Sequence, residues 1–198
     1  MADTDRKIII VNVLIHGFAI AHAWTAASLS QTMGGDDVAL TALTVAMIVS
    51  ISRVYNRPWG VGDGLAVIGC FAGFYVGTRG ALFLVKWIPG VGNGVNAITT
   101  FMVTEILGWA TYIIVKEGKN PHDMDKSDAK SVWQKAKTLR EDMKEEQERI
   151  KQVLKSMSVA DKARYDSFME KLKDKNLPQN EFAQIEKELD ALFKRYGY

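Results

Sequence analysis

The sequence contains one cysteine, Cys70, and three histidines in 198 residues. A single cysteine excludes an intramolecular disulfide. His16 and His22 are spaced so that they lie on different faces of a helix, which disfavours a joint metal site and predicts packed or interfacial histidines. No G-x-x-x-x-G-K-[ST] loop is present, and no nucleophile is paired with a base. We therefore expect neither an enzyme nor a cofactor or metal site.

Charge is scarce in the first half of the chain, whereas from Lys116 onward nearly every second or third residue is charged. An ordinary soluble domain is roughly a quarter charged throughout. The first half is therefore expected to lie in a lipid bilayer, and the alternative is the buried helical bundle of a soluble protein. Between Ile8 and Val115 the acidic and basic residues other than histidine are Asp36, Asp37, Arg53, Arg57, Asp63, Arg79, Lys86 and Glu105.

Four apolar runs approach the length of about 20 residues that a membrane-spanning helix needs. They cover residues 8–33, 38–54, 64–85 and 95–115. The sequence thus predicts an all-α protein, with a four-span transmembrane helical bundle followed by a cytosolic helical domain. The expected domains are residues 1–116 and 127–198, joined by a polar linker at 117–126. The first run continues past a possible signal-peptide cleavage site, so we expect it to be retained.

Basic residues flank the apolar runs on one side of the predicted membrane, near Arg6, Arg53, Arg57, Lys116 and Lys119. Because such residues mark the cytoplasmic side, both termini are expected in the cytoplasm. We expect an integral protein of a bacterial inner membrane.

A ridge of small residues, Gly69, Gly73 and Gly77, lies in the third apolar run. Glycines at a spacing of four allow two helices to approach closely in a membrane. This ridge predicts helix packing, either within one chain or between subunits of a homo-oligomer.

Two charges interrupt the apolar runs, Arg79 in the third and Glu105 in the fourth. A charge inside a membrane is costly and usually faces a protein partner or water. We therefore predict that Arg79 and Glu105 form an intramembrane ion pair, within one chain or between neighbours. The alternative is an Arg79 side chain that extends to the outer interface.

The fourth run also carries a polar face at helical spacing, and a turn precedes it. The face is interpreted as a polar seam inside the bundle or as the lining of an aqueous path. The turn is predicted to form at Pro89, Gly90 and Gly92, because proline ends a helix and glycine permits a tight reversal. The residues of the polar face are Asn96, Thr100, Thr104, Gly108 and Thr111.

Three segments carry a family resemblance, among them Met47-Ile-Val-Ser-Ile-Ser-Arg-Val-Tyr-Asn. The run Trp87-Ile-Pro-Gly-Val-Gly and the later Thr104-Glu-Ile-Leu-Gly-Trp resemble the GTPase-associated membrane domain of YcjF-like proteins (domain of unknown function 697). The resemblance covers residues 11–118. It implies a small helical membrane domain with no established chemistry, and a separate GTPase as a possible partner.

The charged tail is expected to form a long helix and a helical hairpin. Ser127 or Asp128 would cap the long helix, whose apolar stripe from Val132 to Met157 fits a short coiled coil or one face of an intramolecular bundle. Ser158 would cap the first helix of the hairpin. Opposite charges are intermixed, so nucleic acid is not an expected partner.

These patterns favour a non-enzymatic, self-associating membrane protein that presents a cytosolic helical module. Such a module would serve as a scaffold, in membrane remodelling, or in recruiting a GTPase. The alternative is a homo-oligomeric pore or channel, lined by the glycine ridge or by the Thr100 face.

Overall fold

The computed structural model describes residues 3–29, 36–75 and 97–198. These residues form eight α-helices and no strand. The first four lie in the apolar half: α1 (Asp3–Leu29), α2 (Asp36–Val54), α3 (Val61–Tyr75) and α4 (Ala97–Lys116). The all-α prediction is therefore confirmed.

Helices α1 and α2 are apolar around most of their circumference, as expected for helices enclosed by protein or lipid. Across the described residues, the segment Arg6–Thr25 of α1 alone is long and apolar enough to cross a membrane. The apolar helices Ala39–Val54 and Val61–Ala72 are shorter. A single helix of this kind fits a membrane span, a signal sequence or the core helix of a soluble protein, so the predicted four-span bundle is not confirmed.

Helices α1 and α4 are antiparallel. The Lys7 ammonium lies 5.7 Å from the centroid of the Tyr55 ring, and that ring packs against Tyr112 with centroids 5.9 Å apart. Farther along α1, the His16 ring packs edge-on against Phe101 at 5.4 Å. The start of α1 and the ends of α2 and α4 therefore meet at one end of the molecule, here called the basic end because it carries Arg6, Lys7, Arg53 and Lys116.

The tail forms four helices: α5 (Lys126–Asp142), α6 (Lys144–Ser156), α7 (Val159–Leu172) and α8 (Gln179–Arg195). The prediction of one long helix is wrong, because the backbone leaves helical geometry at Met143, where ψ is 5°. The Asp125 carboxylate, not Ser127 or Asp128, caps α5 by accepting a hydrogen bond from the Asp128 amide. The predicted Ser158 cap is confirmed, since its hydroxyl accepts from the Asp161 amide.

In the connection between the two halves, the backbone conformation at one position favours glycine. Gly118 follows the end of α4 with φ +70°, a left-handed conformation that glycine adopts without strain. A 3-10 helix, Pro121–Asp123, then leads into α5. This reversal lays α5 back along α4.

The tail helices pack onto the apolar helices: α5 against α3 and α4, α6 against α1, and α8 against α2. The Trp133 ring of α5 lies 5.4 Å from Phe71 of α3, measured between centroids. At the basic end, Arg6 forms a salt bridge with Asp190 of α8. Buried residues of both halves consequently belong to one hydrophobic core.

Candidate functional site

The Glu105 side chain is the acidic group most deeply enclosed in the described part of the chain, with 0% of its surface exposed. It projects from the middle of α4. The Arg140 Nε of α5 donates a hydrogen bond to Glu105 Oε2 at 2.8 Å. An ion pair thus joins the apolar half of the chain to the charged tail.

His16 completes this buried cluster from α1. Its Nδ1 atom lies 3.6 Å from Glu105 Oε1, and its side chain is 1% exposed. The ring nitrogens of His16 and the Oε1 atom of Glu105 have no hydrogen-bond partner in the structure. The cluster of Glu105, Arg140 and His16 therefore brings together three helices and retains unused hydrogen-bonding capacity.

The energetic role of the cluster follows from its burial. A carboxylate enclosed in an apolar core is strongly disfavoured unless a cation or hydrogen-bond donors compensate. Arg140 is 18% exposed and also donates from Nη1 to Glu141 Oε1 at 2.8 Å. The guanidinium thus reaches from the protein surface to Glu105, and α5 must remain docked on α4 for the carboxylate to keep this partner.

The second histidine of α1 has a different role. His22 is buried, with Nδ1 2.8 Å from the Phe18 carbonyl and Nε2 3.1 Å from the Thr44 hydroxyl of α2. The prediction that His16 and His22 are packed histidines is confirmed by their burial. His22 links α1 to α2 and lies apart from the Glu105 cluster.

The described part of the polar face is buried between helices. Thr104 donates to the Thr100 carbonyl at 2.8 Å, and Thr111 donates to the Leu107 carbonyl at 2.9 Å. At Gly108 a Cβ atom would meet Ile15 of α1 at 2.6 Å, so only glycine permits the observed approach of α4 to α1. Within this chain, these residues pack against protein.

The glycine ridge has a different environment. Gly69 is exposed on α3, and a Cβ atom there would meet nothing within 4 Å. Gly73 lies in the same helix. The close packing predicted for Gly69 therefore has no counterpart among the described residues.

Several predicted residues lie outside the described residues. They include one member of the proposed ion pair, one of the ridge, one of the polar face and the whole turn. The pairing of Arg79 with Glu105 stays a prediction, while the structure assigns Arg140 and His16 as neighbours of Glu105. The residues concerned are Gly77, Arg79, Pro89, Gly90, Gly92 and Asn96.

A surface ion network holds the start of α5 to the end of α4. The Lys135 ammonium donates to Glu117 Oε1 at 2.6 Å, and Lys119 donates to Asp128 Oδ1 at 2.6 Å. The hydrogen bond from Lys135 lowers the pKa of Glu117, against a smaller opposing effect of burial. This network adds polar contacts at the surface between α4 and α5, beside the buried pair of Arg140 and Glu105.

Sequence reasoning did not identify Arg140 as the partner of Glu105. The available signal was its position four residues after Ala136, which places it beside the apolar stripe of α5. A basic residue at the edge of such a stripe can enter the core with its guanidinium while its stem covers apolar surface.

Comparisons with known proteins add no relative from which a function could be transferred. No family model, no curated protein and no solved structure matches this chain.

Proposed function

We propose that this chain is a non-enzymatic membrane protein that self-associates through its apolar helices and presents its charged tail helices in the cytoplasm. The tail serves as a scaffold or as a docking module for a separate protein, with a GTPase as the candidate suggested by the family resemblance. The observation that carries this proposal is the contrast between the two ends of the molecule.

The end opposite the basic end carries exposed apolar side chains and is here called the apolar end. Trp24 of α1 is 71% exposed and Met102 of α4 is 40% exposed. Both lie on the side of the Glu105 cluster that faces away from Lys116. Tryptophan is enriched where membrane helices meet the lipid interface, so this end is the one suited to enter a bilayer.

The outer face of α5 supports the same orientation. Lys130, Lys135 and Lys137 are exposed along this helix. Charged side chains of this kind are disfavoured in hydrocarbon. The part of α4 that α5 covers, from Glu105 to Lys116, is therefore expected to lie in water or among lipid headgroups.

Self-association is proposed to use the open face of α3. Gly62, Leu65 and Gly69 are exposed on this helix at spacings of three and four, and Leu65 is 48% exposed. Glycines beside an exposed leucine leave room for a second helix to pack on it, and exposed apolar patches are typical of interaction sites. The expected occupant is the same face of another copy.

Insertion of the apolar end can be tested with an environment-sensitive fluorophore. In a Cys70→Ser background, Trp24→Cys would be labelled and mixed with liposomes; we expect a blue shift and quenching by lipid-borne bromine. Val159→Cys is the matched control, because Val159 is a 90% exposed apolar residue on the tail. An unchanged signal at position 24, or an equal shift at position 159, would contradict the proposed orientation.

Self-association can be tested by measuring particle mass in lipid nanodiscs. We expect more than one copy per particle, and a shift toward monomers for Gly69→Leu. Ala183→Leu enlarges an exposed residue of α8 in the same way and should leave the mass unchanged. A wild-type monomer would refute self-association, and ion flux through liposomes would favour the pore instead of the scaffold.

A further inference from the structure

A cavity of about 490 Å³ opens between α1, α6 and α7. This volume falls within the range of roughly 300–1,000 Å³ that is usual for small-molecule sites. Apolar side chains line much of it, among them Ile20, Leu154 and Met169. The cavity adjoins the Glu105 cluster, because His16 belongs to both.

Two residues that line this cavity carry buried polar groups with no hydrogen-bond partner among the described residues. These groups are the imidazole ring of His16 and the hydroxyl of Tyr165, whose residues are 1% and 4% exposed. A Cβ atom at Gly17 would lie 2.6 Å from the Tyr165 oxygen, so glycine leaves room for this hydroxyl against α1. Buried polar groups normally have a partner, and a bound molecule with oxygen acceptors would supply one.

The Tyr165 hydroxyl is suited to donate a hydrogen bond. Burial raises the pKa of this phenol above its usual value, and the nearby Asp166 carboxylate raises it further. The group therefore stays protonated across the physiological range and can donate a hydrogen bond to an anionic oxygen.

The rim of the cavity is rich in lysine. Lys162 pairs with Asp166, Lys173 pairs with Glu170, and Lys151 pairs with Glu148 at 2.5 Å. Lys155 also lines the rim; its charge acts on the Glu148 carboxylate, but none of the salt bridges within 4 Å among the described residues includes it. Its ammonium is available for an anion from outside the chain.

We propose that this cavity binds a single-chain amphiphile with an anionic, oxygen-rich head, of the class of long-chain fatty acids and lysophospholipids. The head accepts hydrogen bonds from Tyr165 and Lys155, and the acyl chain lies against Ile20, Leu154 and Met169. A cavity with apolar walls, buried hydroxyl and imidazole groups and a lysine rim matches both parts of such a molecule.

The ligand would come from the membrane in which the protein is proposed to lie. The inference rests on the proposed function for this source of the ligand. Trp24 lines the cavity and is also exposed at the apolar end, so the cavity extends to the proposed membrane interface. Binding itself needs no bilayer. The two proposals can therefore fail independently.

The test uses the full chain in a detergent-free amphipathic polymer and a fluorescent polyene fatty acid as the probe. Palmitate, lysophosphatidate and a neutral monoacylglycerol are added as competitors. We expect saturable binding of the probe and displacement by the anionic competitors. The stronger of palmitate and lysophosphatidate identifies whether a carboxylate or a phosphate head is preferred.

Three variants locate the site. Tyr165→Phe removes an unpartnered hydroxyl and should weaken binding about tenfold, as expected for a hydrogen bond to a charged group. Lys155→Gln should weaken it by a similar or smaller factor, and Ala21→Trp should block the cavity. The control Lys187→Gln removes an exposed lysine of α8 and should bind as wild type does.

Circular dichroism and the thermal midpoint report whether each variant folds. If Ala21→Trp unfolds, Tyr165→Phe still decides the question, because it leaves the ring that packs in the core. The proposal is overturned if the probe does not bind saturably, if Tyr165→Phe and Lys155→Gln both bind as wild type does, or if the neutral competitor displaces the probe as well as the anions do.

Discussion

At the scale of single residues, the Glu105 carboxylate depends most strongly on a neighbouring cation, because it is fully buried. It is enclosed between helices, and the guanidinium that it contacts belongs to Arg140, 35 residues later in the chain. Removing the cation leaves a buried charge, whereas removing the carboxylate leaves a cation that still reaches the surface. The two single substitutions should therefore have unequal effects.

We predict that Arg140→Met destabilises the fold by about 3 kcal/mol or more, the usual cost of leaving a buried charge without its partner. Glu105→Gln should cost less, about 1–3 kcal/mol, because Arg140 keeps its hydrogen bond to Glu141. Chemical unfolding followed by circular dichroism measures both values.

The double variant Glu105→Gln/Arg140→Met distinguishes an ion pair from independent packing effects. We expect it to be less destabilised than the sum of the single variants, with a coupling of about 0.5–3 kcal/mol. As a control, Lys173→Met removes a pair with Glu170 in which both side chains are exposed, and it should be nearly neutral. Strict additivity at Glu105 and Arg140 would contradict their direct interaction.

At the scale of elements, the docking of α5 on α4 depends on the ion network around Glu117. Lys135 and Lys119 both approach this carboxylate, at 2.6 and 3.6 Å. They lower the pKa of Glu117 below its ordinary value of 4.5. A lowered pKa means that the folded state favours the charged carboxylate more than the unfolded state does.

The network should therefore stabilise the fold above pH 4.5 and lose this effect as the pH falls through the lowered pKa of Glu117. We predict that Glu117→Gln costs about 0.5–1 kcal/mol at pH 7, since the carboxylate is only partly enclosed. The difference from wild type should vanish at acidic pH, where the wild-type carboxylate is protonated in both states.

Urea unfolding of both proteins across this pH range measures the difference. Glu145→Gln is the control, because Glu145 is an exposed carboxylate of α6. It should have little effect at either pH. A cost of Glu117→Gln that persists unchanged at acidic pH would contradict the electrostatic explanation.

At the scale of the whole molecule, the apolar helices and the tail share one core. The tail helices contact α1, α2, α3 and α4, and the buried side chains form a continuous cluster. Two independent domains would instead have separate cores joined by a linker. The contact of Trp133 with Phe71 is one place where the cores merge.

We predict a single cooperative unfolding transition for the full chain. Far-ultraviolet circular dichroism reports the helices, and near-ultraviolet circular dichroism reports the packing of aromatic rings such as Trp109 and Trp133. The two signals should change together as the denaturant concentration rises. Two resolved transitions, with the tail unfolding first, would show instead that residues 127–198 form a separate unit.

The sequence alone was sufficient to predict that the chain is helical, because helix formation depends on residues close together in the chain. Apolar periodicity and the Ser158 cap are signals that act within a few residues. The break at Met143 was missed because neither a proline nor a glycine marks it.

The tertiary structure alone decided which side chains meet. The sequence indicated that Glu105 needs a charged partner. Helical spacing shows which face of a helix a residue lies on, but it does not show which residue of a distant helix that face contacts. The reversal at Gly118 lays α5 along α4 and brings Arg140 to Glu105. The sequence thus determined that a buried acid existed, and the packing of helices distant in the chain determined what neutralises it.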